Sequence, residues 1–194
     1  MEITPVSFEF GRLRIPEVIL VKATAFPDER GVFVETYKRS DFQANGIAEE
    51  FVQDNYSRSA RGVLRGLHFQ DPPNAQGKLV SVIRGEIFDV AVDIRRESPT
   101  YAQWIGLRMS SEAHASLYVP VGFAHGFQVL SEEADVTYKV TEEYSPEADR
   151  GIVWDDPELK ITWPIREALV SAKDANLPRL ADTLTSFRYA GRSN

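Results

Sequence analysis

Short runs of alternating apolar and polar residues, broken by turn residues, fill most of the chain. The runs "EVILVKA", "GVFVETY", "FVQDNYS", "VLRGLHFQ", "KLVSVIRG", "EIFDVAVDI", "QWIGLRMS", "SLYVPVG", "AHGFQVL" and "DVTYKVTEEY" follow one another at the spacing of β-sandwiches and barrels. They predict about ten strands, mainly antiparallel. In "EIFDVAVDI" a period of two puts Phe88, Val90, Val92 and Ile94 on one face. Ile87, Asp89, Ala91 and Asp93 share the other, which carries polar groups toward water or a site. Helical signals are few. "SDFQANG" has capping-box spacing between Ser40 and Gln43 and a stop at Gly46. "SAKDANLPRLADTL" reads as a second helix that Pro178 either begins or breaks. The expected fold is therefore all-β, a closed or double-sheet barrel with short peripheral helices and a mouth or interior for a small ligand.

With 194 residues and no repeat, low-complexity run or Gly/Ser/Pro-rich linker, residues 1–194 are expected to form one domain. No apolar stretch approaches the ~18–20 residues of a membrane span, and the N-terminus does not read as a secretory signal. A cytoplasmic protein is the expectation. The absence of cysteine excludes disulfides and thiolate chemistry. The net charge of −7 argues against a nucleic-acid partner, which needs a basic footprint. A few local arginines and lysines can still hold a small anion.

Only three histidines occur, His68, His114 and His125. His68 sits inside "VLRGLHFQ", where strand parity groups it with Leu64, Gly66 and Gln70 and sets Arg65 on the opposite face. It reads equally as a core histidine bonded to backbone or as a general base, since imidazole titrates near ~6.5. Tyr138 shares the face of Val136 and Val140. Taken singly it is hydrophobic area with a satisfied hydroxyl, and in a barrel it becomes an acid aimed at the cavity. Lys78, Asp174, Arg30 and Glu35 each read alone as solvated surface groups.

The turn and histidine of "PVGFAHGF" resemble the second motif of the cupin β-barrels, whose histidine binds metal in metal-dependent members. The first cupin motif is incomplete here, because His68 is followed by Phe69 and Gln70 rather than by a second histidine. Two histidines with Lys78 nearby make a poor transition-metal site, so no metal and no cofactor are expected.

Together, "FPDERGVFVETY", "FVQDNYSRS", "VLRGLHFQ", "NAQGKLVSVIRGEIFDVAVDIRRESPTY", "GFAHGF", "YKVTEEYSP", "ITWP" and "SAKDA" resemble the dTDP-4-dehydrorhamnose 3,5-epimerase family of the cupin superfamily, from about Ala25 to Leu180. The resemblance implies a cupin-type jelly roll and a metal-free isomerase acting on a 4-keto nucleotide sugar. His68 would be the base, oriented by Asp174, with Lys78 stabilising the enolate and Tyr138 the acid on the opposite face. Substrate contacts carried over by the resemblance are Arg30, Glu35, Gln53, Asp54, Asn55, Arg65, His125 and Lys173. Asp149 joins them where relatives commonly have glutamate. For Arg65 to reach the site beside His68, a bulge, strand end or dimer contact is required. The resemblance also implies a homodimer in which the N-terminal segment, about residues 1–24, reaches toward the partner's site, with the tail after Asp182 peripheral. Three rivals remain: a single-centre epimerase or ketoisomerase on the same scaffold, a non-catalytic sugar-binding barrel, and a metal-dependent cupin.

Overall fold

The computed structural model describes residues 7–183 and 185–191. Thirteen strands lie along it: β1 (Phe8–Arg12), β2 (Ile19–Ala23), β3 (Ala25–Asp28), β4 (Gly31–Val34), β5 (Gln53–Ala60), β6 (Leu64–Gln70), β7 (Lys78–Arg84), β8 (Glu86–Asp93), β9 (Trp104–Ser110), β10 (Ala115–Val119), β11 (Phe123–Val129), β12 (Glu133–Val140) and β13 (Asp149–Gly151). Two short helices accompany them, α1 (Arg39–Ala44) and α2 (Ala172–Ala175). A six-stranded sheet in the order β1-β2-β10-β7-β12-β5 faces a five-stranded sheet in the order β13-β6-β11-β8-β9, with β3 and β4 a separate hairpin. The named strand pairs are antiparallel, and the two sheets form the expected cupin-like jelly roll. Among the described residues no helix is long and apolar enough to cross a membrane.

Strand parity explains the core. Val80 and Val82 of β7, Leu117 and Val119 of β10, and Val136 of β12 meet Ile87 and Ala91 of β8 and Phe123, Phe127 and Val129 of β11 between the sheets. The outer face of the five-stranded sheet is also covered. Leu64, Phe69, Val90, Val92 and Ile94 pack under Ile152, Leu159, Trp163, Leu180 and Phe187 from the C-terminal loops. On the outer face of the other sheet, Phe42 of α1 and Ile47 close over Phe8, Ile19, Val21 and Leu79. Both faces of β8 are therefore buried, and Asp89 and Asp93 are fully enclosed rather than solvated.

Several local expectations change. β1, β3 and β13, of five, four and three residues, were not among the expected strands. Helix α1 begins after Lys38 and has no side-chain cap, so Ser40 is already inside it and donates to Asp41. Gly46 follows its end with φ +89°, as its stop requires. Pro178 breaks the C-terminal element: α2 ends at Ala175, and a separate 3-10 turn spans Leu180–Asp182. Strands β1 and β2 tie residues 8–23 of the N-terminal segment to β10, while residues 1–6 lie outside the described residues, as do Leu184 and residues 192–194 of the tail.

Candidate active site

A cavity of about 620 Å³ opens between the sheets, and a second of about 280 Å³ adjoins it; His68, Lys78, Tyr138 and Lys173 line both. The parity that sends Val80, Val136 and Val140 into the core also turns Lys78 and Tyr138 inward, with Tyr138 directly opposite Val80 and Lys78 opposite Val140. His68 enters from the other sheet. Imidazole and phenol thus project from opposite walls.

His68 is held by a partner 106 residues away. Its Nε2 lies 2.8 Å from Oδ1 of Asp174. The other carboxylate oxygen accepts the Gly66 N–H at 3.3 Å, and Ser171, the residue capping α2, accepts the Asp174 N–H at 3.0 Å. Burial pushes the Asp174 carboxyl up, but the hydrogen bond and charge of His68, with Gly66 and Ser171, more than offset it and hold the group below the usual carboxylate range. An anionic Asp174 fixes the hydrogen of the imidazole on Nε2 and leaves Nδ1 as the basic nitrogen.

The difficulty with Arg65 is resolved by a bulge. His125 pairs with His68, yet Phe127 pairs with Arg65, so three steps along β6 match two along β11. The extra residue reverses parity and puts Arg65 and His68 on one side. The bulge depends on glycine at two places. Gly66 has φ +133°, and a Cβ there would stand 2.5 Å from Cα of Gly126; one on Gly126 would stand 2.8 Å from the Arg65 carbonyl. Arg65 lines the larger cavity at its exposed rim and donates from Nε to Ser59 at 3.0 Å.

Lys78 is not a surface group. It is 9% exposed, and Nζ donates to the His68 carbonyl at 3.4 Å. Burial pulls its ammonium down to about 8, against the opposing charges of Asp149 and Asp89. Burial pushes the Tyr138 phenol up, partly countered by Arg65, so it is protonated at neutral pH. His125 lines the cavity with Nε2 2.9 and 3.0 Å from the oxygens of Asp89.

The second cavity gathers Gln53, Asn55, Tyr144, Asp149 and Lys173. Gln53 donates to Asn55 at 2.8 Å and accepts the Tyr144 N–H at 2.9 Å. Lys173 is ion-paired with Asp149, which also accepts the Tyr144 hydroxyl at 3.2 Å.

Three expected contacts lie elsewhere. Asp54 falls on the opposite face of β5 from Gln53 and Asn55, where it pairs with Lys139 at 2.9 Å and is 72% exposed. Arg30 sits at the exposed tip of the β3–β4 hairpin, bound to Asp28, and Glu35 lies just past its end rather than within a strand; neither lines either cavity.

Asp89, Gln70 and Tyr144 were not among the expected site residues. The parity of "EIFDVAVDI" was the available signal for Asp89. Gln70, 3% exposed, bonds to the backbone of Asn74, Glu143 and Ser145 and so fixes the loop that carries Tyr144. Among the described residues no three His, Asp or Glu side chains gather as metal ligands, and the two cupin-like histidines each turn Nε2 to a carboxylate. The donor set does not fit a metal.

A jelly roll with an aspartate-held imidazole on one wall and a protonated phenol on the other has the groups expected of a cupin enzyme of proton transfer. Similarity to known proteins narrows the class. The family model described as dTDP-4-dehydrorhamnose 3,5-epimerase matches residues 12–182, and the chain belongs to that family. The dTDP-4-dehydrorhamnose 3,5-epimerase of Pseudomonas aeruginosa is 56% identical over 173 residues, covering 88% of this chain and 95% of its own. That of Methanothermobacter thermautotrophicus is 52% identical, covering 87% and 92%. The crystal structure of the Legionella pneumophila epimerase in complex with dTDP-4-keto-L-rhamnose superposes with a TM-score of 0.91 at 44% identity, covering 95% of this chain and 100% of that one.

Proposed function

We propose that this chain epimerises C3 and C5 of dTDP-4-dehydro-6-deoxy-D-glucose to give dTDP-4-dehydro-L-rhamnose, in dTDP-L-rhamnose biosynthesis. The observation that carries the reading is the placement of His68 and Tyr138 on opposite walls of one cavity. A ketone at C4 acidifies the hydrogens on both flanking carbons. Nδ1 of His68 removes one of them, and the electron pair moves onto the C4 oxygen. Lys78, as an ammonium, neutralises the charge developing there, and its burial makes that interaction stronger than it would be in water. Tyr138 then delivers a proton to the other face of the carbon, and the configuration inverts. Asp174 stabilises the imidazolium while it exists.

Arg65 at the rim suits the diphosphate by charge and geometry. Gln53, Asn55, Asp149 and Lys173 hold the rest of the nucleotide sugar, with Tyr144, 55% exposed, as an aromatic surface for the base. Arg30 and Glu35 serve a second copy: their hairpin exposes Val32 (57%) and Phe33 (66%), a surface suited to a homodimer in which each hairpin reaches the other's cavity. A fully active monomer in solution would reject that exchange.

Incubating the protein with dTDP-4-dehydro-6-deoxy-D-glucose, a 4-keto reductase and NADPH tests the reaction. The expected product is dTDP-L-rhamnose. A product inverted at one centre would make the chain a single-centre epimerase, and unchanged substrate would reject the reading.

A further inference from the structure

Asp89 is fully buried on β8, and its neighbours of equal parity, Ile87 and Ala91, are core hydrocarbon. A carboxylate in such a place needs a compensating partner. Here that partner is Nε2 of His125, 2.9 and 3.0 Å from the two oxygens. His125 stands directly opposite His68 across β11 and β6. Each ring therefore turns Nε2 to its own buried aspartate, and the two dyads lie side by side on one wall. The second dyad has no role in the proton transfer proposed above.

Three carboxylates lie on or just behind the walls of the cavities that Lys78 lines. Asp149, from β13, is ion-paired with Lys173, and Asp174, from α2, holds His68, the ring that changes charge in turnover. Asp89 holds an imidazole that does not. The other groups facing the lysine are Arg65 of β6, a fixed cation at the rim, and the Tyr138 phenol of β12.

We propose that Asp89 is a positioning residue for the reaction: it locks His125 in the tautomer with hydrogen on Nε2, and it places a fixed negative charge directly behind His125 in the wall of the cavity that Lys78 also lines. This inference rests on the reading of the cavity as the epimerase site. Locking Nε2 leaves Nδ1 of His125, which has no hydrogen bond to protein among the described residues, as the ring atom available to substrate. Burial pulls the Lys78 ammonium down, and the charge of Asp89 joins that of Asp149 in opposing it.

The test is Asp89→Asn in the full chain, with turnover measured against pH beside the unmodified protein. The alkaline limb, where Lys78 loses its proton, should move down by roughly one unit. At neutral pH that shift alone should about halve kcat, and the loss should grow to about tenfold above the shifted limb. A merely structural role would lower the melting temperature and the rate but leave the limb in place, and that result overturns the proposal. Ring-nitrogen NMR of the unmodified protein is a second readout that needs no variant to fold. Neutral His125 should carry hydrogen on Nε2, and hydrogen on Nδ1 would overturn the proposal. An inactive unmodified protein would count against the epimerase reading instead, while the tautomer would still report on Asp89.

Discussion

Asp174→Asn should nearly abolish turnover while leaving the fold intact, and the hydrogen bonds around Asp174 say why. One carboxylate oxygen accepts from the Gly66 N–H at 3.3 Å and the other meets Nε2 of His68 at 2.8 Å. An asparagine has one acceptor and one donor to place in the same two positions. Turned one way, its amide N–H groups would oppose the Gly66 N–H, donor against donor. Turned the other way, the carbonyl satisfies Gly66 and the amide donates to Nε2, so the hydrogen of His68 moves to Nδ1, the nitrogen needed as base. The second arrangement satisfies every group and is the one that forms. Loss of the adjacent negative charge also removes the stabilisation of the imidazolium that forms in turnover. Together the wrong tautomer and the lost charge should lower kcat about 10³–10⁴-fold, roughly 4–5.5 kcal/mol. The coupled reductase assay measures the rate, with melting temperature and dTDP binding as controls. A folded variant within tenfold of the unmodified rate would refute the assignment of His68 and Asp174.

Lys78→Met should lower kcat about 10²–10³-fold, as loss of an oxyanion donor costs roughly 2.7–4 kcal/mol. In the unmodified protein the ammonium is present below about 8 and lost above it, so turnover should decline as pH rises through that value; a rate level to pH 10 would contradict the role. In deuterated water Tyr138→Phe keeps the base and enolate stabiliser, so label should enter slowly at C3 and C5 with little inversion, whereas His68→Asn should take up none; normal inversion by Tyr138→Phe would show that another group is the acid. Activity should survive exhaustive chelation, since the histidines are engaged by carboxylates; bound metal whose removal abolishes turnover would count against this mechanism.

The strand sequence alone decided much of this protein. A period of two along β7 and β12 commits Lys78 and Tyr138 to the side of Val80, Val82, Val136 and Val140, because a register slip of one residue would turn the whole core face to water. The family blocks bring His68, Lys78, Tyr138 and Asp174 together as one set from sequence alone. The same parity misplaced Arg65, because the bulge at Gly66 arises from the close approach of Gly126, and a strand's own pattern carries no record of what packs against it. Alternation also puts Asp54 on the other face from Gln53 and Asn55, and the structure follows it against the contact that the resemblance implied. Local signals at the helix ends were outweighed by longer-range packing: α1 starts where Phe42 reaches its hydrophobic pocket, not where Ser40 would cap it. The pairing of His68 with Asp174 across 106 residues, the conversion of Lys78 from a surface cation to a buried one, and the second dyad at Asp89 were decided by tertiary structure, because each depends on which segments exclude water from the space between two sheets.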